Sequence, residues 1–382
     1  MRTNNAGVIV LGGHVQGYGI VKIYGKNNIP SIVIDTTDIC IARHSKYCIR
    51  FLKSAYDTLL KDLITLANGY TFSDWLLIPT DDYYVRILSQ NKEILSRYFK
   101  VSVDSWSTIE NFFNKRLTYP LAQNVGVTIP QTFFPGSEQD LKQVYSPDSF
   151  PCIIKPAVML DFYRHFKKKV FVCNSTHELT LNYKRALEII KPEEIIIQEI
   201  IPGNSENQFS VGVFAINGKI INCLVARRKR QHPIDFGNAT TFAETVNIPE
   251  LVVYAERIIK AVKFTGICEV EFKYDERDTL YKFLEVNPRT WKWHSIAEKA
   301  HVPFLINMYK YFYHGNPIVA RSFNDAAWRD ILTDMPIIIN MISKGVFNKS
   351  NNRNIEHAVF NISDIKPFIF QLLYLPYLIL KR

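Results

Sequence analysis

The sequence predicts an α/β protein that begins with an open parallel sheet, continues as a strand-rich unit and ends in a helical tail. Residues 7–11 (GVIVL) are an apolar run before a glycine-rich turn and a helical stretch over 16–27, and a second apolar run follows at 30–35. This order predicts strand, helix and parallel strand. Residues 268–274 and 280–286 then predict two further strands joined by a polar turn, because acidic and apolar residues alternate in the first of them.

The spacing of the elements divides the chain into four parts. Residues 1–105 are predicted to form a Rossmann-like domain, with helices around the sheet. Residues 106–200 form a smaller mixed unit, 201–315 a strand-rich and then helical unit, and 316–382 a helical C-terminal extension. A chain of this length is expected to hold one to three domains.

Composition and charge indicate which ligands and which cellular location to expect. The net charge of +10 predicts anionic partners, with ATP and acidic metabolites ahead of nucleic acid. The basic residues are spread along the chain without a recognisable nucleic-acid-binding motif, so we expect no nucleic-acid partner. Six dispersed cysteines without a CxxC pair argue against a disulfide framework and a zinc site. The N-terminus lacks a signal-peptide pattern, which favours a cytoplasmic protein.

A polar triplet follows the last predicted strand. Glu285, Asn287 and Arg289 occupy alternate positions of KFLEVNPRTW, so an extended chain points all three to one face. Glu271, in the preceding strand, would lie beside Glu285 if the two strands form a hairpin. Two neighbouring carboxylates are costly without a cation, and Mg²⁺ takes one or two carboxylates and completes its shell with phosphates. The alternative is a solvated strand end with an internal ion pair.

These residues resemble the metal signature of the ATP-grasp superfamily of carboxylate ligases, which has a Glu in one strand and Glu-x-Asn-x-Arg in the next. The sequence is most similar to a branch of predicted ATP-dependent carboligases that resembles the large subunit of carbamoyl-phosphate synthase, because Trp follows Asn-Pro-Arg and RRKRQHP matches another segment. The resemblance runs from residue 7 to about 315 and implies a two-lobed ATP-grasp fold after the N-terminal domain. It also implies Mg²⁺, or Mn²⁺ in its place, bound by Glu271, Glu285 and Asn287.

The resemblance also assigns an ATP site. A lysine-bearing helix precedes Gly-Val-x-x-Pro, FPCIIKPA ends an apolar strand in a lysine, and IIIQEIIPGNSENQ is similar to the family's hinge. A lysine in that strand position favours an anionic ligand. In the family the two lysines bind phosphates, the hinge backbone reads the adenine, and an acid binds the ribose. The residues that these roles imply here are Lys115, Lys155, Glu199, Ile200, Ile201 and Glu206.

One feature of many ATP-grasp proteins is missing. They carry a glycine-rich phosphate loop after the second lysine, whereas KPAVMLDFYRHFKKKVFV contains no glycine. Either Lys167, Lys168 and Lys169 cover the phosphates, or these lysines are a solvated charge run on a looser lid.

Other candidate residues flank the metal motif. Family position favours Arg228 and Arg230 near the reacting carboxylate or phosphate, on a shared face of a continuing strand. His232 is either a general base or, as we favour, a structural loop residue. Trp291 and Trp293 are expected to pack as a wedge rather than to bind substrate.

The glycine-rich turn LGGHVQGYG leaves three interpretations open. Its glycines, at positions 12, 13, 17 and 19, do not form GxGxxG, so a dinucleotide site with Asp35 at the end of the second strand is a loose match. The free backbone amides of such a turn also bind other anions. The third interpretation is a tight turn without a ligand.

The implied activity is ATP-dependent ligation. A small carboxylate is activated as an acyl phosphate, Arg289 stabilises the developing charge, and an amine or another nucleophile displaces phosphate. Two other classes stay open: a nucleotide-binding regulatory or scaffold protein, and an ATP-dependent carboxylase or kinase-like variant. The complete set of Glu271, Glu285, Asn287 and Arg289 argues against an inactive site.

The tail raises a separate question. From 367 to 380 only Gln371 is strongly polar, and Lys381 and Arg382 follow. This stretch is too short for a comfortable membrane span, which takes about 20 residues. We expect docking on the protein's own core or a homodimer contact, with peripheral membrane contact as the less favoured alternative. Pro376 is expected to interrupt any helix.

Overall fold

Three sheets organise the chain. The computed structural model describes residues 6–69, 72–144, 146, 149–232, 239–315, 317–347, 350 and 352–380. The sheets have five, four and seven strands, and they follow one another along the sequence. The predicted α/β class is confirmed.

The N-terminal sheet is parallel and has the order β3-β2-β1-β4-β5. Its central strands are fully buried apolar runs, which is typical of a parallel sheet covered by helices on both faces. The edge strand β3 was not predicted, because its residues are mostly exposed and lack an apolar run. The elements are β1 (Val8–Leu11), α1 (Val15–Lys26), β2 (Ser31–Asp35), β3 (Cys48–Lys53), α2 (Leu59–Asn68), β4 (Leu76–Pro79), α3 (Asp82–Gln90), α4 (Lys92–Leu95) and β5 (Lys100–Val101).

Two helices lead into an antiparallel four-stranded sheet with the order β6-β9-β7-β8, which we call the small lobe. The lobe has a hydrophobic core of its own, in which Phe162 and Tyr183 are fully buried. Its elements and the two preceding helices are α5 (Trp106–Phe113), α6 (Lys115–Asn124), β6 (Thr132–Phe133), β7 (Cys152–Pro156), α7 (Met159–Phe166), β8 (Phe171–Cys173), α8 (Thr176–Leu187) and β9 (Ile195–Glu199).

The seven-stranded sheet, which we call the large lobe, has the order β14-β13-β10-β11-β12-β15-β16. Its neighbours are antiparallel except β15 and β16. Two hydrophobic clusters join this sheet to the N-terminal domain, so these two parts share their cores. The elements are β10 (Gln208–Ile216), β11 (Lys219–His232), β12 (Ala239–Thr245), α9 (Pro249–Ala261), β13 (Gly266–Asp275), β14 (Leu280–Asn287), α10 (Ile296–Lys299), α11 (Phe304–Tyr313), β15 (Ala327–Arg329), α12 (Ile331–Ser343), β16 (Ile355–His357) and α13 (Lys366–Leu380).

The segment after residue 316 is more than the helical extension that we predicted. It contributes α12 and α13, but two strands also extend the large-lobe sheet: β15 pairs with β12, and β16 pairs with β15. Strands of three residues carry too little periodicity to be recognised in a sequence. The boundaries at 105, 200 and 315 stay predictions.

The tail helix α13 docks on the N-terminal domain. The Phe370 ring stacks on the His44 ring with centroids 3.4 Å apart, and the Tyr374 hydroxyl lies 2.8 Å from His44 Nε2. The expectation that Pro376 interrupts the helix is wrong, since α13 continues through it. Leu372, whose carbonyl loses its partner, lies on an exposed side of the helix where water can replace the bond. Lys381 and Arg382 lie outside the described residues, and no described helix is long and apolar enough to cross a membrane.

Candidate active site

A cleft of about 630 Å³ opens where the N-terminal domain and the two lobes meet. The N-terminal domain contributes Gln16, Thr80 and Asp82 to its wall. The small lobe and the large lobe contribute most of the other charged residues. The predicted site residues can therefore be compared with one well-defined space.

The predicted hairpin of β13 and β14 forms the floor of this cleft. Glu271 pairs with Glu285 in the strand register, and Glu269 pairs with Asn287. Asn287 Nδ2 donates hydrogen bonds to Glu271 Oε1 at 2.9 Å and to Glu269 Oε2 at 3.2 Å. The structure thus brings Glu271, Glu285 and Asn287 together, as the alternation of the two strands predicted.

Glu269 is a third carboxylate at this site that we did not include among the predicted ligands. It is almost fully buried, and burial together with the neighbouring charge of Glu271 raises the pKa of Glu269 to about 8. Its Oε1 has no hydrogen-bond partner within the described part of the chain. The signal was present in the sequence, because Glu269 and Glu271 alternate in β13.

Lys115 reaches the acidic floor from the start of α6. Its Nζ lies 3.2 Å from Glu285 Oε2. Burial favours the neutral form of Glu285, but the ammonium groups of Lys115, Lys169 and Lys155 together lower the pKa of this carboxyl to about 2. Glu285 is therefore ionised at neutral pH and can bind a cation.

Lys155 is buried in β7, on the small-lobe side of the cleft. Its Nζ donates to the Tyr119 hydroxyl at 2.6 Å and to Gln198 Oε1 at 2.7 Å, and the Tyr119 hydroxyl donates to the Leu284 carbonyl. Burial and the nearby charge of Lys115 lower the pKa of Lys155 to about 7. A cation held by two neutral groups is available to an anionic ligand. Sequence analysis missed Tyr119 and Gln198, which no family motif marked.

The hinge residues divide between the inside and the outside of the cleft. Ile200 and Ile201 line it, as predicted. The side chain of Glu199 does not, because alternation in β9 points Gln198 inward and Glu199 outward. Glu199 instead accepts hydrogen bonds from Arg277 at 2.6 Å and Lys282 at 3.1 Å. The Glu199 side chain is thus held by these two ion pairs, and a contact of this hinge position with the nucleotide stays a prediction.

Glu206 lies just outside the residues that line the cleft, in the short turn before β10. Its carboxylate is 3.3 Å from Lys229 Nζ, while Asn204 and Ser205 form the adjoining part of the wall. A role at the ribose hydroxyls stays a prediction.

The two predicted arginines of β11 do not share a face. Arg228 lines the cleft, where its guanidinium lies 3.5 Å from Glu271 Oε2. Arg230 points away and forms a two-pronged ion pair with the buried Asp334, at 2.7 and 2.8 Å. The regular alternation that we assumed is broken by β-bulges on both sides of Arg230. Arg230 is therefore not in a position to contact a substrate in this cleft.

Arg289 joins the hairpin to the N-terminal domain. Its Nε donates to Asp82 Oδ1 at 2.7 Å, and its Nη2 donates to Asn287 Oδ1 at 3.3 Å. Asp82 begins α3 and belongs to the Pro-Thr-Asp-Asp sequence after β4, but its partner in the distant hairpin could not be foreseen. Arg289 is thus oriented over the acidic floor by a second domain.

The structure also shows where the three consecutive lysines and the glycine-rich turn lie relative to the cleft. Of the three consecutive lysines, Lys169 lines the cleft, which favours phosphate contact for this residue. In the glycine turn, Asp35 Oδ2 accepts the Gly13 N–H at 2.6 Å, so that amide is already satisfied by the protein. This pairing supports a structural turn over a dinucleotide site.

The structure also places His232 and the tryptophan pair that follows Arg289. His232 is exposed at the end of β11. Trp291 and Trp293 are 2% and 3% exposed and pack edge to face, although both also border the cleft.

The acidic floor fits a divalent cation. Within the described residues no group of three or more His, Cys, Asp or Glu side chains forms a closed metal site. Glu271 and Glu285, with the amide of Asn287, form instead a partial oxygen set of the kind that Mg²⁺ completes with phosphate oxygens. Next to this set, the buried Oε1 of Glu269 accepts no hydrogen bond from any residue that the structure describes.

Comparisons with known proteins agree with this geometry. The family model described as "ATP-grasp in the biosynthetic pathway with Ter operon" matches residues 191–292, which contain the hairpin. The chain is 26% identical over 225 residues to the D-aspartate ligase of Enterococcus faecium, which covers 56% of this chain and 53% of that protein. It is 26% identical over 190 residues to the carbamoyl phosphate synthase large chain of Methanocorpusculum labreanum, covering 47% and 17%.

A solved structure extends the likeness to nearly the whole chain. N5-carboxyaminoimidazole synthetase from Staphylococcus aureus, complexed with ADP, superposes with a TM-score of 0.67 and covers 91% of each chain at 15% identity. Residues 191–292 thus match an ATP-grasp family model, and the chain as a whole shares the fold of this synthetase. The predicted resemblance is thereby confirmed, including its likeness to carbamoyl-phosphate synthase.

The matched length and the identity limit what the comparisons show about this chain. The chain spans about half the length of the D-aspartate ligase that it matches. The solved structure, at 15% identity, shows the fold alone. The activity and substrates that we propose below therefore rest on the residues of this chain.

Proposed function

We propose that the protein is an ATP-dependent ligase that activates a carboxylate as an acyl phosphate and joins it to an amine or another nucleophile. The observation that carries this proposal is the convergence of three kinds of group in one cleft. Lys115 and Lys155 offer cations for phosphates, Glu271 and Glu285 offer oxygens for a metal, and Arg289 lies over the same floor.

The nucleotide would lie along the small-lobe side. Ile200 and Ile201 border the cleft beyond β9 and supply apolar surface and backbone polar groups for a base. Lys155 and Lys115 then follow toward the acidic floor, so the phosphates would extend from the hinge to the hairpin. Lys169 faces the same part of the cleft and adds a third cation.

Glu271, Glu285 and Asn287 would hold Mg²⁺, and Mn²⁺ stays a predicted substitute. When bound, the cation supplies charge neutralisation on the phosphate oxygens. The Lys115–Glu285 ion pair must loosen as Lys115 turns toward phosphate, and Asn287 Oδ1 must leave Arg289 to face the cation. The second change leaves Arg289 Nη2 free to donate to a ligand.

The chemistry follows from the charges. A substrate carboxylate oxygen attacks the γ-phosphorus, the bond to the β-phosphate oxygen breaks, and ADP leaves with that electron pair. Arg289 and Arg228 present donors to the oxygens on which charge develops. An amine then attacks the acyl carbon, phosphate leaves, and the amine loses a proton. No covalent bond to the protein is needed.

The two alternatives predict different behaviour. A regulatory protein would bind ATP without turnover, and a kinase-like variant would phosphorylate a hydroxyl. The intact set of acids, Asn287 and Arg289 favours turnover, and Arg228 with Arg289 favours an anionic acceptor. We also propose a cytoplasmic location. The homodimer stays a prediction, and docking of α13 on the N-terminal domain leaves the membrane alternative without support.

A coupled assay of ADP release over a panel of carboxylic acids crossed with amines tests the proposal. We expect ADP release that requires both an acid and an amine, and a matched product by mass spectrometry. The Glu285→Gln variant is the negative control. ATP binding without turnover across the panel would favour the regulatory alternative, and phosphorylated hydroxyl products would favour the kinase.

A further inference from the structure

The strands β11 and β12 are irregular where they border the cleft. One extra residue sits in each strand, Lys229 in β11 and Thr241 in β12. In a regular strand Arg228 and Gln231, three positions apart, would point to opposite faces. Here both line the cleft, whereas Arg230 between them points to the other side of the sheet. The two bulges therefore decide which side chains face the cleft.

The first turn of α12 holds both bulged strands from behind. The fully buried Asp334 accepts hydrogen bonds from Arg230 at 2.7 and 2.8 Å and from the Thr241 hydroxyl at 3.0 Å. Arg329 Nε donates to the same carboxylate at 2.8 Å. The backbone N–H of Asp330 donates to the Thr241 carbonyl at 3.0 Å. The N-terminal end of α12 therefore contacts both bulges. In β11 it binds Arg230, which follows the extra residue, and in β12 it binds the extra residue Thr241 itself.

The same turn also holds the chain that follows β14. The Asp330 carboxylate lies 2.8 Å from Lys292 Nζ, and Lys292 donates to the Thr240 carbonyl at 3.1 Å. Both Lys292 and Thr240 border the cleft. Asp330 and Asp334 lie outside residues 191–292, the segment that matches the family model. No motif of that segment accounts for them.

We infer that Asp334 is a positioning residue of the cleft, which fixes the bulges of β11 and β12 so that Arg228 and Gln231 face the substrate. Through Arg230 the carboxylate sets the twist of β11, and through Thr241 it sets the partner strand. Asp334 itself has no access to the cleft. The consequence for turnover rests on the proposed function, whereas the consequence for the strands does not.

Two substitutions test whether Asp334 positions the strands of the cleft or only stabilises the fold. Asp334→Asn keeps the shape and removes the charge, and Arg230→Lys keeps the charge and removes the two-pronged geometry. Glu356→Gln is the matched control, because Glu356 also belongs to the C-terminal segment and forms a buried ion pair, with Lys22. If Asp334→Asn does not fold, Arg230→Lys alone carries the test.

Hydrogen exchange gives the readout that is independent of activity. Peptides that cover 226–232 should exchange faster in Asp334→Asn and Arg230→Lys than in the wild type and in Glu356→Gln. Unchanged exchange in both variants would overturn the inference, even for a protein with no ligase activity. If the wild type shows no ligase activity but both variants exchange faster than it does, the inference stands and the proposed function is rejected.

A double-mutant cycle gives the kinetic readout. Asp334→Asn should lower carboxylate-dependent turnover by about 10- to 100-fold, since small misplacements of this kind cost up to about 10²-fold. ATP affinity should stay unchanged, because Lys115 and Lys155 are held by other elements. In an Arg228→Ala background the further loss should largely vanish. An equal loss in both backgrounds would mean a merely structural role and overturn the inference.

Discussion

Arg289 Nε donates a hydrogen bond to Asp82 Oδ1 over 2.7 Å, so the acidic floor of the cleft in the large lobe is joined to the N-terminal domain. Arg289 is the residue whose donors would meet the transferring group, and Asp82 is the acid that holds its planar end in place. The contact links a motif in the family signature to a helix start that lies about two hundred residues earlier. The orientation of Arg289 therefore depends on how two domains are packed.

Asp82→Asn tests this dependence. The amide still accepts a hydrogen bond but loses the charge, so Arg289 should be held less firmly and turnover should fall by about tenfold. ATP affinity should not change. Asp38→Asn is a matched control in the same domain, because Asp38 pairs with Lys53 and Arg43 on the exposed surface. Turnover in Asp82→Asn equal to that of the control would contradict an orienting role.

Glu285→Gln tests the metal site. The substitution preserves shape and removes one negative charge, so the protein should fold while Mg²⁺ binding weakens. Loss of an outer-shell partner alone costs about 10- to 100-fold in metal affinity, and loss of a ligand should cost at least as much. The dependence of ATP binding on Mg²⁺ can be measured by calorimetry. Glu276→Gln, in the turn of the same hairpin and outside the cleft, is the control; near-wild-type Mg²⁺ dependence in Glu285→Gln would reject the assignment.

The low pKa of Lys155, about 7, makes a prediction about pH. A bound phosphate requires the ammonium form, so ATP binding should be accompanied by proton uptake above pH 7. Affinity should then fall by up to about tenfold for each pH unit between 7 and 8.5. For stability the sign is the reverse: the unfolded chain binds this proton more tightly, so this group favours folding more as pH rises from about 7 to about 10.4.

Calorimetry in buffers of different ionisation enthalpy measures the proton uptake. Lys155→Met should bind ATP more weakly and lose the uptake. An unchanged ATP affinity in this variant would mean that Lys155 is structural.

Arg289→Lys tests when this side chain acts. Lysine keeps the charge and loses the planar fork, so donors aimed at developing charge should be lost. Turnover should fall by about 10²–10³-fold, or roughly 2.7–4 kcal/mol, with ATP affinity changed only slightly. Arg277→Lys, in an ion pair outside the cleft, is the control. A fall in ATP affinity as steep as the fall in rate would make Arg289 a ground-state phosphate clamp instead.

Local alternation explains which parts of the site could be predicted. Glu271 and Glu285 lie in two strands joined by a short turn, and alternation holds on the site side of the register shift between Glu271 and Phe272, so both carboxylates face the cleft as their spacing predicts. Arg230 could not be placed, because a bulge reverses the alternation and its cause, Asp334, comes from a distant helix. The direction of the Glu199 side chain could not be predicted for a simpler reason, since the family motif assigns a role to the chain position and does not specify where the side chain points.

In the fold, too, elements with a local sequence pattern could be predicted, and elements that depend on distant contacts could not. Long buried strands such as β1 and β13 are recognisable by their composition and period. The strands β15 and β16 are only three residues each; β15 forms on the edge of β12, and β16 pairs in turn with β15. Contacts between distant segments decide such elements, and a single sequence does not record them.

Transfer of an oxygen isotope tests the central claim most directly. Once the assay has found an acid that supports ADP release, that acid is labelled with ¹⁸O in its carboxylate and converted with ATP and the amine. Activation as an acyl phosphate predicts that one ¹⁸O atom per turnover appears in inorganic phosphate, with loss of the transfer in Glu285→Gln. Product formation with no ¹⁸O in phosphate would contradict the account.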